Sequence, residues 1–457
     1  MGVPPGAEPS EDCLVLNIWR PANDASMLPV MIWIHGGGYV SGSSSTAITQ
    51  GTSLARQGLV VVSLNYRLGR LGFFAHPALV AAHEGPVGNF GYMDQIAALK
   101  WVQANIASFG GDPDRVTLVG ESAGGASVLQ LMTSPATAGL FQRVVVMSGG
   151  GRRSLSARRM TGGTPDHPSA DQSDAAFAKS RGIDGDGPEA LARLRALSVQ
   201  SLVDDLTVSS ILIPAILAGA SDFDGTPMID GTIVVAQPGD VFRRNGQAKV
   251  PMIIGTTALD LPLFFPPRST PYSYFGEDEG AAKAAYDPNG SGDVRAALPG
   301  LPLGIPGPSA AVIAIAADIT MHEPARFAAK SVAAGGSPAW LYRFTYVAQD
   351  VPGRSGGASH SQEVPYLFDT LDAFYGPAEL TEIDRMMARE FSTYIADFVK
   401  NGDPRGANLP DWPQFDQARF DLMNFTLEGR PMFGADPRTA GVRLVEKIAD
   451  QQQKQRP

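Results

Sequence analysis

Apolar residues in this chain fall into short unbroken blocks with helical patterns between them. Pro29-Val30-Met31-Ile32-Trp33-Ile34, Leu59 to Leu64, Val116 to Val119, Arg143 to Met147, Val250 to Ile254 and Ala339 to Phe344 each read as a strand. Leu59 to Leu64 reads as buried on both faces. Cys13 to Trp19 alternates instead, which predicts an edge or half-buried strand. Between Met93 and Ser108 the residues Ile96, Leu99, Val102 and Ile106 recur at helical spacing, and Gly110-Gly111 supplies a stop. Ala126 to Met132 and Leu380 to Val399 also read as helices, the second long and amphipathic. Strands alternating with helices predict a mostly parallel sheet with helices on its faces.

Two stretches lack strong periodicity. Thr161 to Asp174 is rich in Gly, Pro, Ser and Asp, and Pro262 to Pro308 is interrupted in the same way. They read as loops or cap pieces around a site mouth. The expectation is one catalytic domain over residues 1–457, with cap-like insertions at about 150–226 and 262–320. No internal repeat is visible.

Composition narrows the function. With 36 Lys and Arg against 46 Asp and Glu, the formal charge is −10, which disfavours nucleic acid and anionic membranes as partners. No apolar stretch is long enough to span a bilayer. Met1-Gly2-Val3-Pro4-Pro5 lacks the pattern of a secretory signal, so the default expectation is a cytoplasmic protein unless the native start lies further upstream. The single cysteine, Cys13, excludes an internal disulfide and a multi-cysteine metal site, and reads as a small buried hydrophobe.

The chemistry is concentrated at Gly120-Glu121-Ser122-Ala123-Gly124, which follows an apolar run and opens a helical one. Small residues around a serine at a strand-to-helix turn permit a strained bend that lifts Oγ into the open. Upstream, the strand ending at Ile34 runs into His35-Gly36-Gly37-Gly38. Backbone N–H groups left unshielded there can face an oxygen that turns negative during acyl transfer. Gly37, Gly38 and Ala123 are the candidate oxyanion donors.

These motifs, with Glu11-Asp12-Cys13-Leu14, Asn65-Tyr66-Arg67-Leu68-Gly69, Gly88-Asn89-Phe90-Gly91 with Asp94-Gln95, Phe109-Gly110-Gly111-Asp112-Pro113 and Met147-Ser148-Gly149, form an ordered series. The chain resembles the type-B carboxylesterase family, which includes bacterial carboxylesterases and the cholinesterases. The likeness thins between about Gly150 and Thr226 and resumes at Pro227-Met228-Ile229-Asp230-Gly231. It implies an α/β-hydrolase fold, a small-molecule ester substrate and no cofactor. Related enzymes place strands and a loop, including a partner for Cys13, before the Glu11-Asp12-Cys13 block; ten residues precede it here, and an exposed sheet edge is expected.

A serine hydroxyl needs a base to take its proton. Of six histidines, His35 reads as a brace for the glycine loop, and His76, His83 and His167 as surface or supporting residues. His322 falls in a predicted helix. His360, in Ser359-His360-Ser361-Gln362-Glu363, stands where the resemblance carries the catalytic histidine, with Glu363 a structural carboxylate. Glu121 and Ser148 are expected in a polar layer behind the site.

The acid that orients the imidazole is a glutamate in most related enzymes, just after a strand ending in Gly-Thr. Here Gly255-Thr256-Thr257-Ala258-Leu259-Asp260 places Asp260 there, one methylene shorter. The competing carboxylates are Asp222 and Asp224, with Asp230 a weaker candidate. The order Ser122, Asp260, His360 is that of α/β-hydrolases.

For the substrate, Arg152, Arg153, Arg158 and Arg159 follow the Ser148-Gly149 turn. They read either as surface ion pairs or as a binding cluster for an ester carrying extra carboxylates, such as the tricarballylate esters of fumonisin-type toxins that some bacterial relatives cleave. The glycine cluster Gly149-Gly150-Gly151 lacks the rest of a dinucleotide fingerprint. An amidase or acyltransferase with the same triad, or a non-catalytic binding protein on this fold, are the alternatives.

Overall fold

A computed structural model describes residues 10–454 apart from 24, 153–157, 165–166, 204, 211–223, 261–270, 290–309, 351–355 and 377–379. Among the described residues nine strands form one sheet: β1 (Leu16–Trp19), β2 (Leu28–Ile34), β3 (Val60–Leu64), β4 (Gly111–Glu121), β5 (Arg143–Met147), β8 (Met252–Thr257), β9 (Ala339–Phe344), β10 (Asp421–Phe425) and β11 (Pro431–Ala435). Their spatial order is β1-β3-β2-β4-β5-β8-β9-β10-β11. The pairs from β3 to β10 are parallel, while β1 on β3 and β11 on β10 are antiparallel. Two short strands, β6 (Arg158–Arg159) and β7 (Met228–Ile229), pair separately. The expected mostly parallel sheet is present.

The period-2 geometry of a strand sends alternate side chains to opposite layers. Val30, Ile32 and Ile34 join Val60, Val62, Val116 and Leu118 in the core on one face. Met31 and Trp33 join Val61, Val119, Met147, Trp340 and Phe344 on the other. The second layer is closed by the helix Glu382–Asn401, which packs Met387, Phe391, Tyr394, Ile395 and Phe398 inward. Its N-terminus carries a capping box of Thr381 with Asp384, and Gly402 ends it in the left-handed region.

Several boundaries differ from expectation. Thr161 to Asp174 is not all loop: the helix Ala170–Ser180 begins inside it, capped by Ser169 and Gln172. Part of Pro262 to Pro308 is also helical, over Glu279–Tyr286. Cys13 is half-buried rather than buried, because pairing starts only at Leu16 on an edge strand and leaves Leu14 and Val15 exposed. His83 and His167 are exposed as expected, whereas His76 is buried and its Nδ1 accepts the Ala78 N–H at the head of a short helix.

Candidate active site

The site lies past the carboxyl ends of parallel strands, where open α/β sheets place their ligands. Ser122 follows β4 and precedes the helix Ala123–Thr133, with φ 56° and ψ −123°. That conformation is costly for a residue with a Cβ and persists only where its surroundings enforce it. Here the Ser122 N–H donates to the Met147 carbonyl at the end of β5 (2.9 Å). Gly124 completes the bend: a Cβ there would lie 2.0 Å from the Ile34 carbonyl oxygen. The strain is thus held by backbone contacts to two neighbouring strands.

His360 reaches the elbow from a loop after β9. Its Nε2 is 2.8 Å from Ser122 Oγ, and its Nδ1 is 2.6 Å from Oδ1 of Asp260. The loop is sewn to the acid-bearing turn by Leu259 N–H to the Ala358 carbonyl (2.9 Å). Asp260 is fully buried, and Ser122 is 6% exposed. Of the competing carboxylates, Asp224 binds Arg158 and Arg70, and Asp230 accepts the N–H groups of Thr232, Ile233 and Val234. Asp222 lies outside the described residues.

Three carboxylates surround the imidazole. Glu121 Oε1 is 3.3 Å from His360 Nε2 and accepts the Ser361 hydroxyl (2.5 Å). Glu363 accepts the Ser148 hydroxyl (3.3 Å). Burial opposes charge on His360, but Glu121 and Asp260 outweigh it and lift its pKa to about 9. Burial also pushes up Asp260, yet His360 and Ser148 together hold it below the usual carboxylate range. Glu363 is pushed well above that range by burial and by the charges of Glu121 and Asp260. Nothing in the sequence pattern singles out Ser361 as a partner of Glu121; their contact depends on the loop closing over β4.

The glycine loop lies against the elbow. Gly37 has φ +105°, and a Cβ on it would meet the Ser41 carbonyl oxygen at 2.0 Å. Its own carbonyl accepts the N–H groups of Val40 and Ser41 (3.2 and 3.0 Å), which curls the loop back. Ala123 opens the helix Ala123–Thr133, so its N–H has no intrahelical partner. His35 braces this loop as expected: it stacks on Tyr66 with ring centroids 4.5 Å apart, and Nδ1 lies 2.8 Å from the Gly36 carbonyl oxygen. Burial lowers its pKa to about 4, which keeps it neutral.

Arg152 and Arg158 pair with different sets of carboxylates. Arg152 pairs with Glu323 (2.6 Å) and Asp450 (2.8 Å) and lies over the Phe327 ring. It lines a groove of about 550 Å³ to which none of Ser122, Asp260 and His360 contributes. Arg158 is buried against Asp224 (3.1 Å) and Asp174 (3.8 Å). Arg159 is exposed, and Arg153 lies outside the described residues. Arg152 and Arg158 therefore have their charge met by the protein's own carboxylates, as ion pairs. Among the described residues no group of three or more His, Cys, Asp or Glu side chains could hold a metal ion, and no helix is long and apolar enough to cross a membrane.

Comparison with known proteins gives the family. Residues 3–279 and 308–441 match the Carboxylesterase family. The chain is 32% identical over 438 residues to a fumonisin B1 esterase of Sphingopyxis macrogoltabida, covering 91% of this chain and 73% of that protein. It is also 32% identical over 435 residues to the para-nitrobenzyl esterase of Bacillus subtilis, covering 92% and 81%. A solved PNB esterase structure superposes with a TM-score of 0.75 at 28% identity, covering 97% of this chain and 86% of that one. The fold is that of the α/β-hydrolases, and the chain belongs to the carboxylesterase family.

Proposed function

We propose that this protein is a serine carboxylesterase that works through an acyl-enzyme on Ser122. His360 Nε2 takes the hydroxyl proton as Oγ attacks the ester carbonyl. The oxygen that becomes negative is received by the N–H groups of Gly37, Gly38 and Ala123. Collapse of that tetrahedral species expels the alcohol, which leaves with the proton held by His360. Water, deprotonated by the same imidazole, then releases the acid and restores Ser122. Asp260 keeps the imidazole in the tautomer with Nδ1–H and balances its positive form. No step needs a cofactor.

The observation that carries this reading is the unbroken path from Ser122 Oγ to His360 Nε2 (2.8 Å) and from His360 Nδ1 to Asp260 (2.6 Å). It favours catalysis over a non-catalytic binding role, since nothing about binding alone requires a base on a strained serine. Turnover of p-nitrophenyl acetate by the protein and by Ser122→Ala tests it. Turnover in the wild type and its loss in the variant is the expected result; equal turnover refutes it.

For the substrate, a small uncharged ester fits best, because Arg152 and Arg158 are already neutralised. A polycarboxylate ester such as a tricarballylate is the second reading, supported by the likeness to the fumonisin B1 esterase and by the exposed Arg159. Hydrolysis of a tricarballylate ester against its neutral methyl-ester analogue, in the wild type and in Arg159→Ala, separates the two. Product analysis with added alcohol identifies any acyltransfer, and an anilide substrate any amidase activity.

A further inference from the structure

The oxyanion donors named above come from two separate elements. Gly37 and Gly38 lie in the loop after β2, whereas Ala123 heads the helix Ala123–Thr133. Donors on both must stand about 3 Å from one developing oxygen, so the spacing between loop and helix has to hold to about half an ångström.

Tyr39 follows Gly38 directly and sits at φ +66°, in the left-handed region, where a side chain persists only if its surroundings enforce it. Its carbonyl accepts the Gly69 N–H (2.7 Å). Its buried ring stands edge-on to Phe73 and Tyr92, with centroids 5.4 and 6.2 Å away. Its hydroxyl lies 3.1 Å from the Tyr92 hydroxyl.

That last contact opens a path to the elbow helix. Tyr92, in the helix Phe90–Asn105, is hydrogen-bonded in turn to Ser127. Ser127 donates its hydroxyl proton to the Ala123 carbonyl (2.9 Å), an acceptor only, and accepts from Nε2 of Gln95 (3.3 Å). The protons along the path then have one arrangement. With the Ser127 proton committed to Ala123, Tyr92 donates to Ser127 and Tyr39 donates to Tyr92. Burial first, and Tyr39 next, push the Tyr92 hydroxyl well above its ordinary range, so it keeps its proton through the alkaline range in which His360 becomes a free base. Tyr39, Tyr92, Ser127 and Ala123 are all buried, and phenylalanine at 39 or 92 would fill the same space. Packing alone does not call for the two hydroxyls.

We propose that Tyr39 is a positioning residue for the oxyanion hole: through Tyr92 and Ser127, its hydroxyl registers the Gly37-Gly38 loop against Ala123. This rests on the reading of Ser122 as the acylated nucleophile and of Gly37, Gly38 and Ala123 as the donors. Tyr39→Phe keeps the ring and removes the hydroxyl. Its kcat falls about fivefold at unchanged KM, the scale of one lost hydrogen bond. The Ki of an aryl trifluoromethyl ketone, whose adduct with Ser122 puts an oxyanion in the hole, rises by the same factor. Ser127→Ala cuts the path at its far end with the same two effects, and the double variant loses no more than either single one. Losses that multiply in the double variant, a loss carried by KM, a fall in kcat without the matching rise in Ki, or wild-type values in the single variants overturn the proposal. Either single variant gives the kinetic answer should the other fail to fold. Full turnover in Ser122→Ala would instead remove the acyl-enzyme reading itself, which keeps the two failures distinct.

Discussion

Asp260 divides its two carboxylate oxygens between the His360 imidazole and its own turn: Oδ1 meets His360 Nδ1 at 2.6 Å, and Oδ2 accepts the Thr257 N–H at 3.1 Å. The shorter side chain is served by a turn that holds it close. Asp260→Asn is expected to lower kcat by roughly 10⁴, because an amide facing Nδ1 favours the wrong tautomer. Asp260→Glu keeps the charge and retains more activity than the asparagine variant. Steady-state kinetics of the two side by side provide the check, and equal activity would assign the acid elsewhere.

The meeting of Ser122, His360 and Asp260 was legible because each sits where local pattern and chain order coincide: Ser122 in its glycine frame, His360 after the Ala339–Phe344 strand, and Asp260 after a strand ending in Gly-Thr. Core strands were legible for the same reason, since a run such as Val60–Leu64 has one reading. His322 shows what was not. Its helical surroundings were visible in the sequence, but its contact to the Thr257 carbonyl spans 65 residues and is created by packing. Of the two readings of the arginines, the sequence could not choose, because the carboxylates that meet Arg152 and Arg158 lie as far along the chain as Asp450 and Asp224. The β10–β11 hairpin and the C-terminal helix Thr439–Lys454 left no pattern that was read beforehand.

The three carboxylates around His360 set a pH dependence. With its pKa lifted to about 9, the imidazole is a free base only on the alkaline side, so kcat/KM is expected to rise with pH toward that value. Glu121 is the largest of the charges that raise it, and Glu121→Gln should move the limb down by about one pH unit. Profiles of kcat/KM for both proteins test this, and an unmoved limb would count against it. The sign for folding is the reverse: the raised His360 stabilises the native state fully below the ordinary histidine value of 6.5, and that contribution is lost as pH climbs to about 9.

Arg158 and Arg159 are adjacent in sequence and opposite in role. Arg158→Met leaves Asp174 buried without its cation and is expected to cost about 3 kcal/mol of stability. Arg159→Ala, at an exposed position, should stay within about 0.5 kcal/mol. Urea unfolding of the two variants against wild type measures the difference, and equal midpoints would contradict the buried ion pair.

Covalent capture of the nucleophile tests the central claim most directly. After incubation with a p-nitrophenyl alkylphosphonate, intact-mass and peptide mass spectrometry should find one adduct per chain, on Ser122, and none on Ser122→Ala. An adduct on another residue, or undiminished labelling of the alanine variant, would contradict a serine acyl-enzyme at this site.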